Sequence, residues 1–85
     1  MSKCDKLLEK AKNSLNNFSF TEICQLAECY GFRFQRQTGS HVIYENPRLE
    51  ISQNRLINFQ NFRGKAKPYQ VKQLLKAISY LSNAT

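Results

Sequence analysis

Histidine occurs once in these 85 residues, cysteine three times, glycine three times and proline twice. Each scarcity excludes something. One histidine and three scattered cysteines (Cys4, Cys24 and Cys29), with no Cys-x-x-Cys pair, do not supply the closely spaced ligands that zinc needs. An odd cysteine count this low does not make a disulfide framework either. Cys24 and Cys29 read instead as small apolar residues on a helix, and Cys4 as an exposed terminal thiol. The few glycines and prolines are dispersed, so there is no linker, low-complexity tract or internal repeat, and one domain spans residues 1–85. No apolar run approaches the roughly 20 residues of a membrane span. The start, Met1-Ser2-Lys3-Cys4-Asp5-Lys6, lacks the apolar region of a signal peptide. The expectation is a cytoplasmic chain with no membrane association. Its six carboxylates form no pair suited to glycoside or metal chemistry, and none is an evident partner of the histidine in a Ser-His-acid triad.

What is present is positive charge, unevenly placed. Residues 1–30 carry four lysines against four carboxylates. Residues 31–85 carry nine cations against only Glu45 and Glu50, so the whole net charge of +7 arises there. Such asymmetry suits a surface that faces a polyanion; a solvated face kept for solubility is the other reading. The apolar share of 41% is that of an ordinary globular domain.

The pattern along the chain gives the elements. Leu7, Leu8, Ala11 and Leu15 recur at helical spacing over about residues 3–16. Ser19 followed by Glu22 matches a capping box, opening a second helix whose apolar stripe is Phe20, Ile23, Leu26, Ala27 and Tyr30. Gly31 closes it, where the chain needs left-handed dihedrals. The period then changes to two: Phe32-Arg33-Phe34-Gln35-Arg36 reads as a half-buried strand, Thr38-Gly39 as a turn, and Ser40 to Glu45 as a second strand broken by Asn46-Pro47. Residues 48–54 are ambiguous between a continued strand and a turn. Leu56 to Gln60 reads as a third strand, and 61–67 as a basic loop. Pro68 opens a last helix, on which Tyr69, Val71, Leu74, Leu75, Ile78 and Leu81 lie at helical spacing. The order α-α-β-β-β-α predicts an α+β fold: an antiparallel three-stranded sheet with helices on one face and a second face left open.

His41 is the one side chain that titrates near neutral pH without special help. It follows the Gly39-Ser40 turn, has Arg36 close in sequence, and by alternation shares a sheet face with Ile43. A histidine that merely hydrogen-bonds at a strand end is the plain reading. Against it stand Gly39, which permits close approach of a ligand to the backbone, and the basic loop Arg63-Gly64-Lys65-Ala66-Lys67-Pro68. That loop leads into a helix N-terminus, which favours anions, although it lacks the P-loop spacing. RNA cleavage would suit so small a set of groups. The 2′-hydroxyl is itself the nucleophile, and the protein need supply only proton transfer and charge stabilisation.

The segment Gly31-Phe32 … Arg36-Gln37-Thr38-Gly39-Ser40-His41-Val42-Ile43-Tyr44, followed by Gly64-Lys65-Ala66-Lys67-Pro68-Tyr69-Gln70-Val71-Lys72-Gln73-Leu74-Leu75, resembles the HicA toxins of bacterial toxin–antitoxin pairs. The resemblance runs over about residues 19–78. The helix before it resembles the N-terminal extension of one long-form branch, so the toxin core is expected over about 19–81. It implies a double-stranded-RNA-binding-like fold, metal-independent cleavage of mRNA without a cofactor, and neutralisation by a HicB-like antitoxin. The family's catalytic histidine corresponds to His41. Many members carry a second histidine directly after it, where this chain has Val42. Arg36, Gly39, Ser40, Arg63, Lys65 and Lys67 are the expected RNA-contacting residues. A non-catalytic double-stranded-RNA-binding module is the alternative, because such folds often bind by shape and phosphate contacts alone.

Overall fold

The computed structural model describes residues 2–82. Helix α1 (Lys3–Asn13) is capped by Ser2, whose hydroxyl accepts from the Asp5 amide at 3.2 Å. A 3-10 turn over Leu15–Asn17 leads to α2 (Phe20–Cys29). The expected capping box is present in both directions: the Glu22 amide donates to the Ser19 hydroxyl, and the Ser19 amide to the Glu22 carboxylate, each at 3.0 Å. Gly31 ends α2 at φ +94°, a conformation that would strain any side chain. Strands β1 (Arg33–Thr38), β2 (His41–Glu45) and β3 (Leu56–Gln60) form one antiparallel sheet in chain order, and α3 (Pro68–Ser82) closes the fold. The order is the expected α-α-β-β-β-α. The ambiguous residues 48–54 are not a strand; they hold a turn and a 3-10 segment, Ile51–Gln53, that ends at Asn54 with φ +64°.

The two faces of the sheet follow from its register. Val42 and Phe59 are paired, as are Tyr44 and Ile57, and all four are buried beneath the helices. There they meet Phe18, Ile23, Leu26, Phe32, Val71, Leu74 and Ala77. Tyr44 donates a hydrogen bond to Glu28 at 2.8 Å. Burial, the bond to Glu28 and the adjacent Cys24 together push its phenol above the ordinary value. Asn46, fully buried at the end of β2, donates to the Tyr30 carbonyl and accepts from the Arg48 amide, both at 3.0 Å. It thus fixes the strand end against α2.

Helix α1 buries Leu7 and Ala11. Lys10 pairs with Glu22 at 2.7 Å. Partial burial pushes the Glu22 carboxyl up, but Lys10 and Ser19 outweigh it and the net shift is downward. Two of the three cysteines are not the unpaired residues expected of them. Cys4 and Cys29 form a disulfide, with Cα atoms 5.8 Å apart, which pins the start of α1 to the end of α2. Cys24 is the free, half-buried thiol. An odd count of three excludes a framework of bridges but admits one pair. The contact between Cys4 and Cys29, 25 positions apart, is tertiary and leaves no mark on their spacing.

Candidate functional site

The outer face of the sheet carries no helix. Its residues form three rows across the strands: Thr38, His41 and Gln60; Arg36, Ile43 and Asn58; Arg33, Glu45 and Leu56. The strict alternation read over 32–36 would place Arg36 with Phe34, on the inner side. A bulge between Phe34 and Arg36 changes the parity, so Phe34 pairs with Tyr44 on the inner face while Arg36 pairs with Ile43 on the outer one. That single irregularity brings the guanidinium onto the face of His41.

His41 opens β2 after the Gly39-Ser40 turn, and it is exposed. Gly39 takes φ +59°, and its carbonyl accepts from the Gln37 side chain at 3.0 Å. The Ser40 carbonyl accepts from the Asn61 amide at 2.8 Å, tying the turn to the end of β3. The His41 ring is held by Asn58, two residues before its own partner on β3: Nδ1 lies 3.1 Å from Asn58 Oδ1. An amide oxygen only accepts, so this contact is a hydrogen bond in the form of the ring that carries a proton on Nδ1; in the neutral tautomer of that form Nε2 keeps its lone pair.

Asn58 is itself anchored. Gln70, in the first turn of α3 and only 3% exposed, donates to the Asn58 carbonyl at 2.8 Å and accepts from the Gln60 amide at 2.9 Å. Its amide thereby acts as a short piece of neighbouring strand along the edge of β3. Tyr69 lies at helical spacing with the apolar residues of α3, yet the structure buries Gln70 and leaves Tyr69 56% exposed. Alternation along β3 does place Asn58 on the outer face, but nothing in the sequence singles it out as the partner of His41.

Two shallow grooves meet at His41. One, of about 300 Å³, is lined by Arg36, Thr38, His41, Ile43 and Asn58. The other, of about 320 Å³, lies towards α3 and is lined by His41, Leu56, Ile57, Asn58, Tyr69, Gln70 and Gln73. Of the expected cations only Arg36 lines either one. Arg63, Lys65 and Lys67 belong to a tight turn that starts next to the His41 row. Arg63 (φ +53°) and Gly64 (φ +83°) form its tip, and Phe62 and Lys65 are bridged across it. The Arg63 guanidinium and the Lys67 ammonium lie over the Phe62 ring, 5.6 and 5.5 Å from its centre. The turn is fastened to the first residue of α2 by Phe20 N to Gly64 O, and to Phe18 ahead of that helix by Ala66 N to Phe18 O, both 2.9 Å. Among the described residues no group of three or more His, Cys, Asp or Glu side chains could hold a metal ion, and no helix is long and apolar enough to cross a membrane.

A sequence model of the HicA toxin of bacterial toxin–antitoxin systems matches residues 20–79. The chain belongs to the HicA toxin family. The match begins at α2 and takes in all three strands and most of α3, so α1 precedes the matched region. Membership makes the chain the toxin of a toxin–antitoxin system and implies an antitoxin partner. No curated protein and no solved structure matches the chain. Within this HicA chain, His41 lines both grooves, Gly39 and Ser40 form the turn before it without lining either, and Val42, which follows it, is buried on the inner face.

Proposed function

We propose that this HicA toxin is an endoribonuclease that cleaves mRNA, with His41 as the proton-transfer group and without a metal ion or other cofactor. The observation that carries the reading is the tethered ring: Asn58 occupies Nδ1, so Nε2 is left as a base on an open, solvent-facing surface. In the proposed step Nε2 takes the proton of a ribose 2′-hydroxyl. The 2′-oxygen bonds to the adjacent phosphorus, and the P–O5′ bond breaks. The 5′-oxygen leaves with a proton from water or from the histidinium, giving a 2′,3′-cyclic phosphate and a 5′-hydroxyl end. Arg36, in the groove beside His41, meets the phosphate oxygens as charge builds on them. Gly39 and Ser40 admit the backbone of the strand, and Arg63, Lys65 and Lys67 contact phosphates further along it. Val42 supplies no second histidine, because its side chain is in the core. A HicB-like antitoxin neutralises the toxin by covering this face, and the toxin acts in the cytoplasm, where mRNA is.

Expression of the wild-type chain should arrest growth and deplete mRNA. A folded His41→Ala variant should do neither. Toxicity that persists in that variant would overturn the catalytic role. RNA binding that weakens with salt, with no cleavage at any pH, would favour the binding module instead.

A further inference from the structure

The two grooves beside His41 differ in chemistry. The groove towards β1 has a guanidinium in its wall. The groove towards α3 has none: its walls are the exposed Tyr69 ring, the amides of Asn58 and Gln73, and the apolar Leu56. A phosphate is drawn to the first and gains no charge pairing in the second. A flat, uncharged ring with donors and acceptors on its edge gains from the second, by stacking on the aromatic face and by hydrogen bonds to the amides.

Tyr69 is also held in place. The buried Gln70 donates from Nε2 to the Tyr69 hydroxyl at 3.3 Å, and the same nitrogen donates to the Asn58 carbonyl. The ring is therefore fastened to the residue that positions His41, while more than half of it faces solvent. At about 320 Å³ the groove falls at the small end of ligand sites, which start near roughly 300 Å³.

We infer that the groove between β3 and α3 is a nucleobase site, in which a base next to the scissile phosphate stacks on Tyr69 and meets the amide of Gln73. The inference rests on the ribonuclease reading for its place in the reaction but not for the binding itself. It divides the labour of the face: Arg36 takes the phosphate, Tyr69 takes the base, and His41 stands between them at the ribose. It also gives α3 a functional first turn, with Pro68 setting where Tyr69 and Gln70 fall.

The test is an amide-resolved NMR titration of the full chain with nucleoside 5′-monophosphates and, separately, with ribose 5-phosphate. Nucleotides should move the signals of Tyr69 and the Gln73 side chain. Ribose 5-phosphate should move those of Arg36, Thr38 and His41 and leave Tyr69 and Gln73 in place. Tyr69→Phe should keep nucleotide binding. Tyr69→Leu should weaken it by roughly 5- to 100-fold, the worth of one base–aromatic stack, while signals distant from the groove stay in place. Equal responses to both ligands, no response at Tyr69 and Gln73, or undiminished nucleotide binding by a folded Tyr69→Leu variant would each overturn the inference. The same titration on His41→Ala separates the two claims. If nucleotides bind there but the wild type cleaves no RNA, the ribonuclease reading fails and the base site stands. If His41→Ala abolishes cleavage but Tyr69→Leu cleaves and binds as the wild type does, the base site fails alone.

Discussion

The inner and outer faces of the sheet belong to the same three strands, five or six residues each, yet they are under opposite demands. Strands β2 and β3 meet the inner demand, while β1, expected to be half-buried, is exposed along its whole length, Phe34 included. Inside, Val42, Tyr44, Ile57 and Phe59 are buried against helices, and their identities are set by volume and apolarity. Outside, Thr38, His41, Arg36, Ile43 and Asn58 border open grooves, and all of them but the apolar Ile43 offer groups that donate, accept or carry charge. Apart from Ile57, which is buried in the core and also lines the groove towards α3, these residues serve one face only. The chemistry of this protein can therefore change without touching its core, and the core can fail without any site residue being altered.

The largest effect of breaking this division should come from the inner face. Phe59, with no exposed surface, should cost about 3–5 kcal/mol of stability when replaced by alanine, whereas Leu56→Ala on the outer face should cost roughly 0.5 kcal/mol. Denaturant titration of the two variants checks the contrast. Next in size is the brace behind the inner face. Closing a loop with a sequence separation of 25 stabilises by about 3.5 kcal/mol on chain-entropy grounds. Reduction, or Cys4→Ser, should lower the melting temperature by the same amount, and a reductant should add nothing to Cys4→Ser.

On the outer face the effects are smaller and act on activity. Asn58→Ala removes one hydrogen bond, from Nδ1 of His41, and should slow RNA cleavage by roughly 2- to 10-fold. The 15N shifts of the ring should move at the same time from the Nδ1–H form towards the other tautomer. Slowed cleavage with an unchanged tautomer would deny Asn58 its positioning role. The smallest effect is predicted for deletion of Gln35. Phe34 would still pair with Tyr44, and Arg36 with Ile43, in a regular ladder. Cleavage should therefore persist. Its loss in a folded deletion variant would mean that the bulge sets more than the parity of the strand.

The sequence made some parts of this division legible and hid others, for physical reasons. The third strand, the Ser19–Glu22 capping box and the shared face of His41 and Ile43 all follow from local periodicity and spacing, and the structure has them. The position of Arg36 on the same face depends on a bulge. Inserting one residue reverses the alternation without any compositional signal, so the regular pattern of Phe32 to Arg36 points the wrong way. Asn58 and Gln70 matter through contacts between β2, β3 and α3, and helical spacing alone does not show that Gln70 is buried while Tyr69 beside it is exposed. The cations expected to contact RNA have different surroundings: Arg36 lines a groove with His41, whereas Arg63 and Lys67 lie against Phe62. The Cys4–Cys29 bond joins two helices whose packing no spacing rule foretells.

The most direct measurement is cleavage of a defined RNA by the purified chain in EDTA, comparing wild type with His41→Ala and identifying the new ends. The account predicts fragments with 2′,3′-cyclic phosphate and 5′-hydroxyl ends from the wild type, and a rate lower by roughly 10²- to 10⁴-fold in a folded His41→Ala variant. Equal cleavage by the two proteins, or none by the wild type in any buffer from acid to alkaline pH, would contradict it.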